Sequence, residues 1–111
     1  MEFKEYQKLA ATTMIYGAGV KVIYPTLGLA GEAGEVAEKM KKVLRDNDGV
    51  FTEEKVEEIK KELGDVLWYL AAISSDLNIN LEEVAQMNID KLFKRKEKGK
   101  LHGSGDNREN E

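Results

Sequence analysis

Cysteine is absent from the chain, and disulfides, thiolate metal sites and cysteine nucleophiles are absent with it. Proline occurs once, at Pro25, so long helices meet almost no built-in breaks. Histidine also occurs once, at His102. A di-iron carboxylate bundle needs a Glu-x-x-His pair on each of two helices, and one histidine near the chain end rules that chemistry out. No apolar run approaches the ~18 residues that a membrane span requires. The opening Met1-Glu2-Phe3-Lys4-Glu5 lacks the apolar segment of a secretory signal, so a cytoplasmic location is expected. There is no basic block, and the formal net charge of -4 argues against duplex nucleic acid as a partner.

The composition that remains is 41% hydrophobic and 34% charged over 111 residues, which suits one domain rich in helix. Residues 2–17 read as a first helix, with Phe3, Tyr6, Ala10, Thr13 and Gly17 at helical spacing and Gly17-Ala18-Gly19 as its stop. A connector runs to Pro25. A second helix is expected from Thr26, as its N-cap, to about Arg45, followed by a turn at Asp46-Asn47-Asp48-Gly49. Thr52 caps a third helix that continues to about Asp76. After Asn78-Ile79-Asn80, a fourth helix capped by Asn80 with Glu83 as capping-box partner runs to about Lys98. The single domain therefore spans 1–98, with a polar, flexible tail over 99–111. Short connections favour antiparallel neighbours, hence an all-α four-helix bundle. Val66 to Ile73 is apolar nearly all round and needs cover on several sides, which one small bundle hardly supplies; a homo-oligomer, dimer or tetramer, is the expected completion.

Carboxylates mark the edges of two apolar stripes. At about 100° per residue, Glu32 borders the stripe of Leu29, Val36, Met40 and Val43, Glu35 lies to its other side, and Glu38 turns further toward solvent. On the third helix Glu58, Glu62, Asp65 and Tyr69 form one polar strip beside Ile59, Val66, Leu70 and Ile73. If the two helices pack through these stripes, two acidic strips face each other. Clustered carboxylates at a core edge are costly and repel, and a hard divalent cation such as Mg²⁺ or Mn²⁺ relieves both effects. Acidic pairs at such spacings also arise on ordinary solvated faces, so spacing alone leaves both readings open. Gly28, Gly31 and Gly34 interrupt the second helix at a cost of roughly 0.5–1 kcal/mol each against alanine, which suggests close approach of a backbone or ligand.

The segments Leu27-Gly-Leu-Ala-Gly-Glu-Ala-Gly-Glu-Val-Ala-Glu38 and Lys61-Glu-Leu-Gly-Asp-Val-Leu-Trp-Tyr-Leu70, with Asn88-Ile-Asp-Lys-Leu92 further on, resemble the MazG-like all-α nucleoside triphosphate pyrophosphohydrolases. The family pattern is Glu-Glu-x-x-Glu, then Glu-x-x-Asp. The resemblance implies that Glu32, Glu35, Glu62 and Asp65 are Mg²⁺ ligands and that a (deoxy)nucleoside triphosphate is hydrolysed to monophosphate and pyrophosphate. It also implies that Tyr69 stacks on the base or bonds the sugar and that Asn88 and Lys91, with Arg95 on the same face, contact sugar or phosphate. Gly31 stands where the family has its first Glu, a candidate for orienting the attacking water. Glu38 or Glu58 could substitute, or water bound to the metal could suffice. An oligomeric helical module that binds nucleotide or metal without turnover is the alternative. Gln7 and Thr13 are candidates for a base pocket, Trp68 for packing or an oligomer interface, and His102 with Arg108 for phosphate contact from the tail.

Overall fold

A computed structural model describes residues 1–103 and 105. Among them the chain forms four α-helices and no strand: α1 Phe3–Ala11, α2 Ile23–Asp46, α3 Glu53–Asp76 and α4 Leu81–Glu97, with a single 3₁₀ turn at Ala18–Val20. Arg108 and most of the tail lie outside the described residues. None of the helices is long and apolar enough to cross a membrane.

α1 stops well before Gly17. The Thr12 and Thr13 hydroxyls donate to the carbonyls of Leu9 and Ala10 at 2.6 and 2.7 Å, and their amides form three-residue bonds to the same acceptors. Side chains that bond the backbone in this way compete with the helical ladder and end it. α2 starts earlier than expected, and Thr26 is not its cap. Val22, at φ 67° and ψ -51°, sits at the centre of a γ-turn closed by Ile23 N–H donating to Lys21 O at 2.7 Å. That conformation is rare and costs about 1–3 kcal/mol for a β-branched residue. Pro25 is then buried in the first helical turn, where its missing N–H removes no intrahelical bond. The Thr26 hydroxyl donates to Val22 O at 2.6 Å.

The turn after α2 lies where the sequence places it. Asp48 and Gly49 adopt positive φ of 52° and 76°, and the amides of Asn47 and Gly49 both donate to Val43 O at 3.1 Å. Thr52 Oγ1 accepts from Lys55 N–H at 3.2 Å and caps α3. α3 ends with Asn78 at φ 57° and Ile79 N–H donating to Ser74 O at 2.8 Å, a left-handed cap that asparagine tolerates. Asn80 precedes α4, but its side chain forms no bond to the helix backbone; its amide donates to Glu83 Oε1 at 3.2 Å. The first α4 amide, Leu81 N–H, donates instead to Gln7 Oε1 at 2.8 Å, while Gln7 Nε2 donates to Ile79 O at 2.8 Å and Ser75 Oγ at 3.2 Å. Gln7 therefore fastens α1 to the α3–α4 corner and is spent there.

α3 is the hub: α2, α1 and α4 each pack on it, and α1 also packs on α4. Ala10, Ala71 and Leu81 form one core, flanked by Tyr6, Leu67 and Trp68, while Val43 and Ile59 are buried elsewhere. The arrangement is open, with a radius of gyration of 17.0 Å against ~13 Å for a compact chain of this length. The glycines of α2 differ from one another. A Cβ at Gly28 would fall 2.7 Å from Tyr69 Cδ1 and closer still to Cε1 and Cζ, whereas Gly31 and Gly34 meet nothing within 4 Å. The expected close approach thus exists in this chain at Gly28 alone of the three.

Two outcomes follow from these contacts. Gln7→Ala is expected to destabilise the fold by about 1–3 kcal/mol in urea unfolding, because it removes the partner of a helix-start amide and two further bonds. Gly28→Ala is expected to cost about 1–3 kcal/mol by overpacking and to alter the near-UV circular dichroism by displacing the Tyr69 ring. A near-UV spectrum identical to wild type would show that the ring contact is not what Gly28 serves.

Candidate metal centre

The hairpin of α2 and α3 brings three of the four expected ligands together. One carboxylate oxygen from each of Glu32, Glu62 and Asp65 lies within 4.8 Å of the others, with Glu32 and Glu62 half-buried and Asp65 exposed. Glu35 sits one turn along α2, exposed and outside that group, yet near enough to act on Glu32 electrostatically. Burial first, then the charges of Asp65 and Glu62, a hydrogen bond shared with Glu62, and the charge of Glu35 all push the Glu32 carboxyl above the usual range. Among the described residues the ion pairs fall elsewhere: Lys41–Glu38, Arg45–Asp46, Lys55–Glu58 and Lys60–Glu57. Among the described residues the cluster thus concentrates negative charge without an ion-paired cation, and its all-oxygen donor set suits a hard divalent cation such as Mg²⁺ or Mn²⁺.

The two candidates for a water-orienting base differ. Lys41 at 3.0 Å holds the Glu38 carboxyl below its usual range, which makes it a weak base. Glu58 pairs with Lys55 at 3.3 Å and lies one turn before Glu62 on the same side of α3.

Tyr69 follows Asp65 by one turn, with its ring on Gly28 and edge-on to Trp68 at 4.9 Å. Burial, then Tyr24, Glu32 and Asp65, raise its hydroxyl pKa, so it lies within the field of the cluster. Tyr6 is raised by burial and Asp65 in the same way. Beside Tyr69 opens a cavity of about 460 Å³ lined by Thr13, Tyr16, Val20, Tyr24 and Trp68 among others. Trp68 also lines this cavity, and its Nε1 donates to Thr13 Oγ1 at 2.7 Å. Tyr16 and Tyr24, both lining it, stack at 4.8 Å. Sequence periodicity offers no signal for that pair, because Tyr16 lies in the irregular connector between α1 and α2 and Tyr24 in the first turn of α2.

The α4 residues lie apart from the cluster. Asn88 and Lys91 line an open depression of about 340 Å³ with Val84 and Met87, to which none of the α2 or α3 carboxylates contributes. Arg95 turns inward instead of sharing that surface: it is only 4% exposed, and Nη2 donates to Gly105 O at 3.2 Å. His102 is exposed, in the turn that follows α4.

Residues 25–99 match the model of the MazG nucleotide pyrophosphohydrolase domain, a stretch that contains every carboxylate of the cluster. A "Gene 37 protein" from Mycobacterium phage L5 is 50% identical over 109 residues, covering 93% of this chain and 96% of the relative. No solved structure matches the chain. With the family's domain matched over residues 25–99, most of the chain, and an all-helical fold around the acidic hairpin, the chain belongs to the MazG nucleotide pyrophosphohydrolase family.

Proposed function

We propose that the protein hydrolyses a (deoxy)nucleoside triphosphate to the monophosphate and pyrophosphate in an Mg²⁺-dependent reaction. The observation that carries this reading is the convergence of Glu32, Glu62 and Asp65 beside an aromatic cleft, in a chain of this family. Glu32, Glu62 and Asp65, joined by Glu35, would hold the cation. When bound, Mg²⁺ neutralises phosphate charge and lowers the pKa of water. The chain itself keeps the phosphates over the acidic hairpin and directs the base toward Tyr69. Water adds to phosphorus, the phosphoanhydride bond to pyrophosphate breaks, and the water's proton passes to a rim carboxylate. Glu58 is the better of the two candidates for that proton, since it shares the Glu62 face and Glu38 is held acidic by Lys41. Asn88 and Lys91 offer an amide and an ammonium for sugar or phosphate, while Arg95 is assigned to holding the chain end.

A homo-oligomer belongs to the same reading. Leu27 and Leu63 are 69% and 52% exposed on α2 and α3, and Leu44 is 72% exposed. A second copy seated against α2 and α3 would cover them and would use the open surface at Gly31 and Gly34. A monomeric mass in sedimentation equilibrium at micromolar concentration would overturn this part.

Glu62→Ala tests the site. It is expected to reduce pyrophosphate release by more than about 10³-fold and to weaken Mg²⁺ binding while the far-UV helical signal stays intact. Unchanged hydrolysis removes Glu62 from the site, and no pyrophosphate from any wild-type triphosphate reaction removes the proposed activity. A pH test follows from Glu32. Its folded pKa is raised, so its stabilising contribution is complete below the unfolded carboxylate value of about 4.3 and is lost as pH rises through the folded value. Metal-free protein should therefore lose melting temperature from this group as pH rises out of the carboxylate range toward neutrality. Added MgCl₂ should restore it at neutral pH, and Glu32→Gln should both raise the metal-free melting temperature and blunt the response to MgCl₂. Melting curves at several pH values, with and without the salt, provide the check.

A further inference from the structure

Asp76 closes α3, three turns beyond Asp65, and takes no part in the acidic cluster. A single oxygen, Oδ2, accepts from the Tyr16 hydroxyl at 2.8 Å and from the Val22 amide at 2.8 Å. Both donors belong to the connector between α1 and α2, and both sit at telling places. Tyr16 stacks on Tyr24 and lines the same cleft as Trp68 and Tyr69. Val22 is the β-branched residue at φ 67° whose strained turn sends the chain into α2. A strained residue persists only where its surroundings hold it, and here the Asp76 carboxylate takes the Val22 amide. Burial and the Asp76 bond also hold the Tyr16 hydroxyl protonated far above its usual range.

Among the described residues the connector has one other side-chain tie to α3, at its start, where Trp68 Nε1 donates to Thr13 Oγ1 at 2.7 Å. The Ala18–Val20 turn contributes only weak backbone bonds of 3.2 and 3.5 Å. Beyond Thr13, the stretch of connector that carries Tyr16 and Val22 is therefore held to α3 by one carboxylate, on the helix that also carries Glu62 and Asp65.

We propose that Asp76 is a positioning residue for the base end of the substrate: through Tyr16 and the Val22 amide it fixes the connector as the second wall of the aromatic cleft beside Tyr69. This rests on the nucleotide reading of the site. The cleft holds a base by stacking, and Asp76 sets the spacing that stacking requires. It touches neither the phosphates nor the reacting atoms, so its loss acts on substrate affinity at the base and not on the chemical step.

The test uses the full chain with Asp76→Ala, Asp76→Asn and Tyr16→Phe. KM and kcat are measured for the common deoxynucleoside triphosphates with MgCl₂, together with inhibition by inorganic triphosphate, which has no base. Trp68, the sole tryptophan, reports binding of the free deoxynucleosides by its emission. Asp76→Ala is expected to raise KM about tenfold with kcat within about threefold, the scale of losing two hydrogen bonds that hold the wall. Inhibition by inorganic triphosphate should stay at the wild-type level. Asp76→Asn, whose amide oxygen still accepts both bonds, should recover most of the affinity. Tyr16→Phe keeps the ring, loses one bond and should raise KM by about threefold. It carries the test if Asp76→Ala loses its helical signal. Unchanged KM in the folded variants, or an equal loss toward inorganic triphosphate, overturns the proposal while leaving the hydrolase reading in place. If wild type hydrolyses nothing but Trp68 responds to deoxynucleosides and Asp76→Ala weakens that response, the hydrolase reading falls and the role of Asp76 stands. A wild type that neither hydrolyses nor responds removes both.

Discussion

The ring of Tyr69 rests on the backbone of Gly28, and this contact fixes how the two long helices slide along each other. α2 and α3 run antiparallel, so each step forward on one is a step back on the other. With Gly28 opposite Tyr69, one turn onward on α2 brings Glu32 within reach of Asp65 and Glu62, while Glu35, almost one turn further, stays outside the group. A slip by one turn would separate Glu32 from Asp65 and leave each on its own helix as an ordinary solvated acid. The glycine that weakens α2 locally is therefore what permits the register, since any side chain there would hold the tyrosine off.

The register sets folding against the site. Apolar burial along the α2–α3 seam draws together carboxylates that repel, and the raised Glu32 carboxyl is the record of that conflict. A protein selected for stability alone would place a lysine among them, as it does at Glu38, Glu57 and Glu58. Within the described residues those pairs surround the cluster without entering it. Charge left unneutralised inside a ring of neutralised neighbours is the arrangement that a divalent cation with phosphate oxygens can complete.

Features governed by local pattern were legible in the sequence, and features made by distant contacts were not. Thr52 capping α3, the Asp48-Gly49 turn and the ends of α3 follow from residue type within a few positions. So did the facing of Glu32 with Glu62 and Asp65, because both helices carry unbroken stripes that wheel geometry can orient. The sequence points to Thr26 as the start of α2, whereas the helix begins at Ile23 because Asp76, far along the chain, holds Val22 in a conformation its own sequence disfavours. Gln7 reads as a surface amide or pocket residue until the α3–α4 corner is brought to it. Gly31 and Gly34 promised a close approach that a single chain does not supply. Arg95 shows the reverse error: helical spacing put it on a surface with Lys91, yet the chain after α4 folds back and buries it.

Tyr69 gives the site a direction. Its backbone lies one turn from Asp65, its ring bears on Gly28 one turn from Glu32, and its other flank borders the cleft of Trp68, Tyr16 and Tyr24. One side of it is acidic and open, the other aromatic and poor in charge. A nucleotide has the same polarity, with a phosphate chain that needs a cation at one end and a flat base that stacks at the other. On the proposed reading the tyrosine is the hinge point at which the two demands meet, and the constraint that aligns the carboxylates also places the base wall. Chemistry and recognition then cannot be tuned separately at Gly28, where any added side chain would disturb both. They can be tuned separately at Asp76, which reaches the aromatic side through the connector and stands outside the acidic cluster.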